Sequence, residues 1–166
     1  KAFKKFYDFG NSDWKLILAG GIEVGAKDYV EKLKRMKQDY PIQIIKSPAY
    51  KELLILYGKA KIFWSAVGFE VSEVREPEKV EHFGISVVEA MAAGAIPIVY
   101  NAGGYKEIIK DGKNGFFWSD INELLNNTRG LTKDQTILRL LSRKAKKNSL
   151  EFNYERFSAE IGAIIK

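Results

Sequence analysis

The sequence lacks cysteine altogether and has a single histidine, His82, among its 166 residues. Without cysteine it can form no disulfide, thiolate metal site or cysteine nucleophile, and one histidine cannot make a multi-histidine metal site. No apolar run reaches the roughly 18 residues needed to cross a bilayer. Residues 1–7 contain three lysines and lack the apolar core of a signal peptide. These absences favour a cytoplasmic protein.

Acidic residues are in the minority, with 21 Asp and Glu against 27 Lys and Arg, which gives a net charge of +6. Such a charge suits nucleic acid, an anionic membrane or an anionic small ligand. The basic residues are spread along the chain, and their densest groups, at 32–37 and 143–147, are typical of solvated helix faces. We therefore expect no nucleic-acid partner and leave open a peripheral contact with anionic lipid.

The length suits one domain with a hydrophobic core and is too short for two ordinary ones. We therefore expect a single domain over residues 1–166. Short apolar runs alternate with segments of helical spacing. The predicted strands cover residues 14–20, 41–46, 61–66, 96–100 and 116–118. The predicted helices cover residues 28–40, 50–60, 83–93, a short stretch up to 110, 120–127, 132–148 and 154–165.

Most predicted strands are continuous apolar runs, which favours a parallel sheet covered by helices on both faces. With right-handed crossovers, the pattern predicts an α/β, Rossmann-like, doubly wound domain. Such a domain normally begins with a strand near the middle of its sheet, whereas this chain opens on a helix-like segment at 2–7. The sequence therefore predicts a doubly wound sheet that lacks its first strand.

Ligands of doubly wound domains bind beyond the carboxyl ends of the strands. The distinctive residues of this sequence follow predicted strands: they are Gly20-Gly21, Ser47-Pro48, the segment 81–84 and the segment 101–104. We therefore expect a ligand site at this edge of the sheet.

An acidic loop, residues 67–80, contains four glutamates. Their spacing does not match an EF-hand, which favours solvated charge over a cation site. The sequence leaves open whether the loop is a lid over a ligand or a variable insertion.

Two carboxylates, Glu81 and Glu89, stand eight positions apart around Gly84, at the predicted start of a helix. Helix N-termini favour phosphate through their unpaired N–H groups and the helix dipole. Glu89 lies on a segment that, apart from Ser86, is otherwise apolar, where an unpaired charge is costly, and its two oxygens suit vicinal ribose hydroxyls. Ser86-Val-Val-Glu89 is also a capping-box pattern, and spacing alone does not decide between the two.

Taken singly, the neighbouring residues have plain structural interpretations. Glu81 is typical of a surface carboxylate, His82 of a structural histidine, and Gly103-Gly104 of a turn. The order in which these residues and their flanking motifs occur is more informative than any one of them alone.

Five motifs carry a resemblance to one family. They are Glu81-x7-Glu89, Glu-Ala-Met-Ala-Ala-Gly at 89–94, Ile-Pro-Ile-Val at 96–99, Gly-Gly-Tyr-Lys-Glu-Ile-Ile at 103–109 and Asp-Gly-Lys-Asn-Gly-Phe-Phe at 111–117. In that order they closely resemble the C-terminal half of retaining glycosyltransferases of family 4, which have the GT-B fold. The variant Glu-His-Phe-Gly at 81–84 is most similar to the branch of lipid-linked-oligosaccharide mannosyltransferases and their prokaryotic relatives.

The resemblance implies the donor-binding domain of such an enzyme. Glu81 would be the catalytic carboxylate, beside sugar hydroxyls near the reacting centre, and Glu89 would bind the ribose hydroxyls. Backbone N–H groups of Phe83, Gly84 and Ile85 would hold the sugar and the diphosphate.

The remaining donor-binding residues implied by the resemblance lie on either side of that segment. They are His82, Gly103 and Gly104, with Lys46 and Ser47 near the base. The donor would be a GDP- or UDP-hexose, transferred with retention at the anomeric carbon and without an essential metal or other cofactor. Fixed donors and cations would then stabilise the leaving diphosphate.

Two departures from the family pattern limit the resemblance: the first is the start of the chain, and the second is the loop 67–80, which is longer than in many members. The family's donor domain begins with a strand, a Gly-Arg turn and a Lys that embrace the diphosphate, and this chain starts just after that point. We expect the N-terminal domain, which would bind an acceptor glycan or glycolipid, to be absent from this chain as well. We therefore expect this chain alone to bind a nucleotide sugar weakly and to catalyse nothing.

Two alternatives stay open. A GT-B sugar epimerase or phosphosugar enzyme would need catalytic carboxylates and histidines beyond the single His82. A non-catalytic basic α/β module would contact nucleic acid or a membrane through the +6 charge, with a steep salt dependence. The motifs favour the glycosyltransferase donor domain.

Overall fold

The computed structural model describes residues 1–22 and 27–165. Residues 23–26, and Lys166 at the end of the predicted C-terminal helices 132–166, lie outside the described residues. The chain divides into two compact units, Lys1–Leu56 and Tyr57–Lys166. Among the described helices, none is both long and apolar enough to cross a membrane.

The first unit is built on a two-stranded parallel sheet. Strands β1 (Leu16–Gly20) and β2 (Ile42–Lys46) pair along their whole length. A parallel pair needs a crossover connection, and helix α2 (Lys27–Lys37) lies on it. Helix α3 (Tyr50–Lys59) follows β2 and contains the boundary between the units.

Helix α1 (Ala2–Asp8) is held by aromatic contacts within the first unit. The buried ring of Phe6 meets Trp14 edge-on, with centroids 6.4 Å apart, a favoured arrangement for aromatic pairs. The Tyr40 hydroxyl donates to the Asp8 carboxylate at 2.9 Å. The predicted helix-like start of the chain is thus confirmed as a helix.

The second unit is built on a three-stranded parallel sheet in the order β3-β4-β5. Its strands are β3 (Ile62–Ser65), β4 (Ile96–Tyr100) and β5 (Phe116–Trp118). The central strand β4 is buried from Ile96 to Val99, which accounts for its continuous apolar sequence.

The helices that follow are α4 (Ile85–Ala92), α5 (Tyr105–Ile108), α6 (Ile121–Lys133), α7 (Gln135–Ser149) and α8 (Tyr154–Ile164). Short 3₁₀ segments lie at Pro77–Lys79 and Leu150–Phe152. The core cluster joins α4, β4, α5 and α7, and its buried members are Val87, Met91, Val99, Tyr105, Ile108, Ile109 and Ala145.

All pairings between the described strands are parallel, and helices connect consecutive strands, which confirms the predicted α/β, Rossmann-like fold. The described strands form two sheets, β1-β2 and β3-β4-β5, rather than one. The predicted strands 96–100 and 116–118 agree with the structure to the residue. Strands β1 and β2 begin two residues and one residue later than predicted, and β3 is one residue shorter at each end. That residues 1–166 form a single domain stays a prediction.

The sequence predicts a break after residue 127 and a new helix from 132, and both boundaries are wrong. The Thr128 hydroxyl hydrogen-bonds within α6, and Leu131 is buried. Packing therefore continues α6 past Gly130, although the weak helix propensity of glycine favours a break there. Asp134 ends α6 and caps α7 with its side chain.

Candidate functional site

The carboxyl ends of the strands of the second unit bring three segments together. Ser65, the last residue of β3, lies 2.6 Å from the hydroxyl of Tyr105, measured between the two oxygens. The backbone N–H of Gly104 donates to the carbonyl oxygen of Glu81 at 2.7 Å. The segment before α4 and the segment after β4 therefore meet beside the end of β3, as the position of ligand sites in such sheets predicts.

Gly103 and Gly104 allow this close approach because neither has a Cβ. A Cβ built on Gly103 would lie 2.2 Å from the Glu81 carbonyl oxygen, and one on Gly104 would lie 2.2 Å from the His82 carbonyl oxygen. Both distances are far below van der Waals contact. The glycine pair thus packs directly on the backbone of residues 81–82; a contact of these glycines with a donor stays a prediction.

Gly84 is the N-cap of α4 and has the left-handed conformation that favours glycine, with φ at 100°. A Cβ there would also come within 2.9 Å of the Tyr105 ring. The first N–H groups of α4 have no acceptors within the helix. Next to this cap, Phe83 and Ile85 are exposed, with 40% and 68% of their surface accessible. The helix start is therefore exposed on both sides of Gly84, which is itself buried.

The capping-box alternative for Glu89 is wrong. The N-cap is Gly84, no side chain caps α4, and Ser86 is already the second residue of the helix. Glu89 is partly buried and, within the described part of the chain, its carboxylate has neither a hydrogen-bond donor nor a cation beside it. An unpaired carboxylate on an otherwise apolar helix is costly, so Glu89 suits a ligand that brings its own donors.

Glu81 is partly buried in the segment before α4. Its backbone is held by Gly104, and its Oε2 atom accepts a hydrogen bond from the Tyr105 hydroxyl at 3.4 Å. Across residues 1–22 and 27–165, no lysine or arginine forms an ion pair with it. Its carboxylate therefore keeps capacity for further hydrogen bonds from hydroxyl groups.

Tyr105 stands at the centre of the cluster and is 1% exposed. Burial is the main reason that its pKa is raised, to about 12, and the nearby Glu81 charge raises it further, whereas the hydrogen bond with Ser65 lowers it. The phenol is therefore neutral at physiological pH and can donate its proton. The Trp118 indole N–H donates to the Ser65 carbonyl at 3.1 Å, which ties the ends of β3 and β5 together.

The loop 67–80 is attached to the same cluster of residues through Glu73. Glu73 accepts from the Gly103 N–H at 3.0 Å and from the Lys106 ammonium at 2.6 Å. The hydrogen bond from Lys106, and then that from Gly103, lower the pKa of Glu73. Phe69 packs against Trp118, with ring centroids 5.2 Å apart.

The other predicted site residues lie at the margin of this cluster or in the first unit. His82 is exposed, and the Phe83 ring packs edge-on against Phe152 at 5.7 Å. Lys46 ends β2, and the exposed Ser47 after it donates its backbone N–H to Gly20. Lys46 and Ser47 belong to the first unit, and the other predicted residues to the second.

Sequence reasoning missed three residues of the cluster, Ser65, Glu73 and Tyr105. Tyr105 directly follows the glycine pair at the end of β4, and that position was the signal available. In the part of the chain that the structure describes, no group of three or more histidine, aspartate or glutamate side chains is placed to hold a metal ion.

Comparison with known proteins gives a family match over most of the chain. A family model described as glycosyl transferases group 1 matches residues 1–148. The chain is 30% identical, over 92% of its length, to the GDP-Man:Man(3)GlcNAc(2)-PP-Dol alpha-1,2-mannosyltransferase of Dictyostelium discoideum. It is 25% identical, over 95% of its length, to the alpha-1,3/1,6-mannosyltransferase ALG2 of the same organism. It spans 29% and 37% of the lengths of these two relatives.

Solved structures show the same fold. The structure of Anabaena Alr3699/HepE in complex with UDP-glucose has a TM-score of 0.80 at 20% identity, covering 99% of this chain and 44% of that one. The C-terminal domain of a glycosyl transferase group 1 family protein, LpcC of Francisella tularensis, has a TM-score of 0.74 at 19% identity. It covers 92% of this chain and 78% of that one. These likenesses confirm the prediction of one half of a GT-B fold.

Proposed function

Since this chain belongs to the group 1 glycosyltransferase family, we propose that it is the donor-binding domain of a retaining hexosyltransferase. The observation that carries the proposal is the pair of carboxylates, Glu81 and Glu89, that flank the start of α4 without a cationic partner among the described residues. Both stand where parallel sheets bind their ligands.

Glu89 binds the ribose of the nucleotide in this proposal. Two vicinal hydroxyls donate to its two carboxylate oxygens, which supplies the hydrogen bonds that the side chain lacks in the described structure. Hydrogen bonds to an ionised group contribute about 1.5–3 kcal/mol each, so this contact offsets the cost of holding the charge on an apolar helix.

The diphosphate lies at the start of α4. The N–H groups near Phe83, Gly84 and Ile85 and the helix dipole favour its negative charge; Phe83 and Ile85 are exposed, and Gly84 between them is buried. We propose that His82, Gly103 and Gly104 complete the part of the donor site that the second unit supplies. A contact of Lys46 and Ser47, in the first unit, with the base stays a prediction. Fixed donors and cations stabilise the leaving diphosphate without an essential metal.

Glu81 faces the sugar. In the transfer, the bond between the anomeric carbon and the diphosphate oxygen breaks, and an acceptor hydroxyl oxygen bonds to that carbon on the same face. The nucleoside diphosphate and the hydroxyl proton are released. A carboxylate beside the anomeric centre stabilises the positive charge that develops there.

The donor and acceptor are proposed from the relatives. The name of one relative specifies GDP-Man and a PP-Dol acceptor, another specifies cellobiosyl-diphosphopolyprenol, and a structural neighbour holds UDP-glucose. We propose a GDP- or UDP-hexose donor and a glycan or glycolipid acceptor, which a further domain of the full-length enzyme would bind in the cytoplasm.

A lipid-linked acceptor places the enzyme at a membrane surface, and α7 offers a matching face. This helix has five cations and no acidic residue: Arg139, Arg143, Lys144, Lys146 and Lys147. Leu140 is 42% exposed among them. Cations around an exposed apolar side chain suit an anionic lipid surface, so we propose α7 as the peripheral contact.

Chemical-shift mapping of the ¹⁵N-labelled chain tests the donor site. Titration with UDP-glucose and GDP-mannose should shift the amide signals of Gly84, Ile85 and Ser86, whereas glucose 1-phosphate, which has no nucleoside, should do so far less. Shifts that are confined to the lysines of α7, and that vanish in moderate salt, would instead identify a basic module that binds polyanions.

A further inference from the structure

The carboxylate of Glu81 lies at the end of a chain of hydrogen bonds whose donors all point toward it. An ionised carboxylate can only accept, so in the Tyr105–Glu81 contact at 3.4 Å the tyrosine donates. Its oxygen is then free to accept from Ser65, whose hydroxyl lies 2.6 Å away. Ser65 in turn accepts from the N–H of Val67 at 3.4 Å. The hydrogen bonds in such a chain polarise one another, which strengthens the bond from Tyr105 to Glu81.

The phenol that ends this chain cannot move far. Its ring belongs to the buried core cluster together with Val87 and Met91, and a Cβ on Gly84 would already be 2.9 Å from it. A buried aromatic ring in a close-packed core keeps one orientation. The hydroxyl of Tyr105 is therefore fixed in space, unlike a donor on a flexible surface side chain.

Three consecutive residues hold Glu81 from two sides. Gly103 and Gly104 lie against the backbone of residues 81–82, and Gly104 donates to the Glu81 carbonyl. Tyr105 reaches the side chain of the same residue. The backbone and the carboxylate of Glu81 are thus set by one short segment at the end of β4.

We propose that Tyr105, supported by the hydroxyl of Ser65, is a positioning residue that orients the Glu81 carboxylate toward the donor sugar. This inference rests on the proposed function, because it assigns a supporting residue to the site in which Glu81 meets the sugar. The neutral state of the phenol over the physiological range, with its pKa raised to about 12 mainly by burial, agrees with a permanent donor.

The test compares nucleotides with and without the sugar on the purified chain. Dissociation constants are measured by NMR titration for UDP, UDP-glucose, GDP and GDP-mannose. The sugar ratio is the dissociation constant of the nucleoside diphosphate divided by that of the corresponding sugar nucleotide. Tyr105→Phe should lower this ratio about three- to tenfold, which is less than the loss of a direct hydrogen bond to a charged group would cause, because the sugar still meets the Glu81 carboxylate. Binding of the diphosphate itself should not change.

Matched variants separate positioning from folding. Tyr100→Phe removes a hydroxyl that makes no hydrogen bond within the described residues, from a ring that also packs in an aromatic cluster; it should leave the ratio unchanged. Ser65→Ala should lower the ratio about twofold, because Tyr105 keeps its proton. A variant that only destabilises the fold would weaken diphosphate and sugar nucleotide alike.

A double variant decides whether Tyr105 acts through Glu81. If it does, Glu81→Ala together with Tyr105→Phe loses no more than Glu81→Ala alone. Additive losses, or an unchanged ratio in Tyr105→Phe while Glu81→Ala lowers it, would overturn the positioning role and leave the proposed function standing. If the wild-type chain binds none of the four nucleotides, the proposed function fails and the inference with it.

Discussion

The backbone N–H of Gly104 donates to the carbonyl oxygen of Glu81 across 2.7 Å. This contact joins the turn after the central strand to the segment that begins α4, and it requires that residue 104 have no side chain. The position of the proposed catalytic carboxylate, which lies outside the helix, is therefore fixed by packing between two loops.

We expect Gly104→Ala to lower the free energy of unfolding by about 1–3 kcal/mol, the usual range for overpacking. The backbone at Gly104 is helical, with φ at −61°, so the loss comes from the clash with His82 rather than from backbone strain. Urea denaturation gives the value. Gly130→Ala is the control: it lies in α6 with open space around its Cβ position and should raise the free energy by up to about 1 kcal/mol. Equal effects at both glycines would contradict the account.

The attachment of loop 67–80 should depend on pH through Glu73. Its pKa is lower in the folded protein than the ordinary value of 4.5, so the attachment is complete above that pH and is lost as pH falls through the lowered pKa. The amide shift of Gly103, followed by NMR, should report this transition. It should disappear in Glu73→Gln and persist in Glu78→Gln, a change at an exposed glutamate of the same loop.

A buried amide fixes the turn before β5. Asn114 donates to the Ile108 carbonyl at 3.0 Å and to the side chain of Asn148, and it accepts from the Lys110 N–H at 2.7 Å. Asn114→Ala leaves these buried groups unsatisfied and should cost about 1–3 kcal/mol of stability. Thermal unfolding of this variant against Asn126→Ala, an exposed position on α6, gives the comparison; a loss no larger than that of the control would be inconsistent with this role.

The membrane contact proposed for α7 depends on its five cationic side chains, which no acidic residue within the helix offsets. Reversing two of them, Lys144→Glu with Lys147→Glu, should weaken sedimentation with vesicles of phosphatidylcholine and phosphatidylserine at least tenfold, since each basic residue near an anionic surface contributes about 1 kcal/mol. Lys110→Glu with Lys113→Glu makes the same change of charge on another exposed segment. If both pairs weaken binding equally, only net charge matters and α7 has no special role.

Much of the architecture could be predicted because each element satisfies its own local pattern. The run Ile96–Tyr100 is apolar throughout because β4 has a strand on each side, and Gly94 takes the left-handed conformation expected after a helix, with φ at 93°. The end of α6 could not be predicted, since the burial of Leu131 outweighs the weak propensity of Gly130.

The candidate site was predictable only in part. The two glutamates and the α4 start follow from motif order, but spacing could not separate a capping box from a ligand contact at Glu89. That choice depends on where α4 begins, and the structure places its N-cap at Gly84. The link from Ser65 through Tyr105 to Glu81 joins residues from three segments, and such contacts exist only once the sheet has formed.

In the proposed site, Glu89 holds the nucleoside and Glu81 holds the sugar. The most direct measurement is calorimetry or NMR titration of Glu89→Ala and Glu81→Ala with a nucleoside diphosphate and its sugar derivative, with the exposed Glu155→Ala as control. Glu89→Ala should weaken both ligands about tenfold or more, whereas Glu81→Ala should weaken only the sugar derivative. Equal losses for both ligands in both variants, or no loss in Glu89→Ala, would contradict this division of the site.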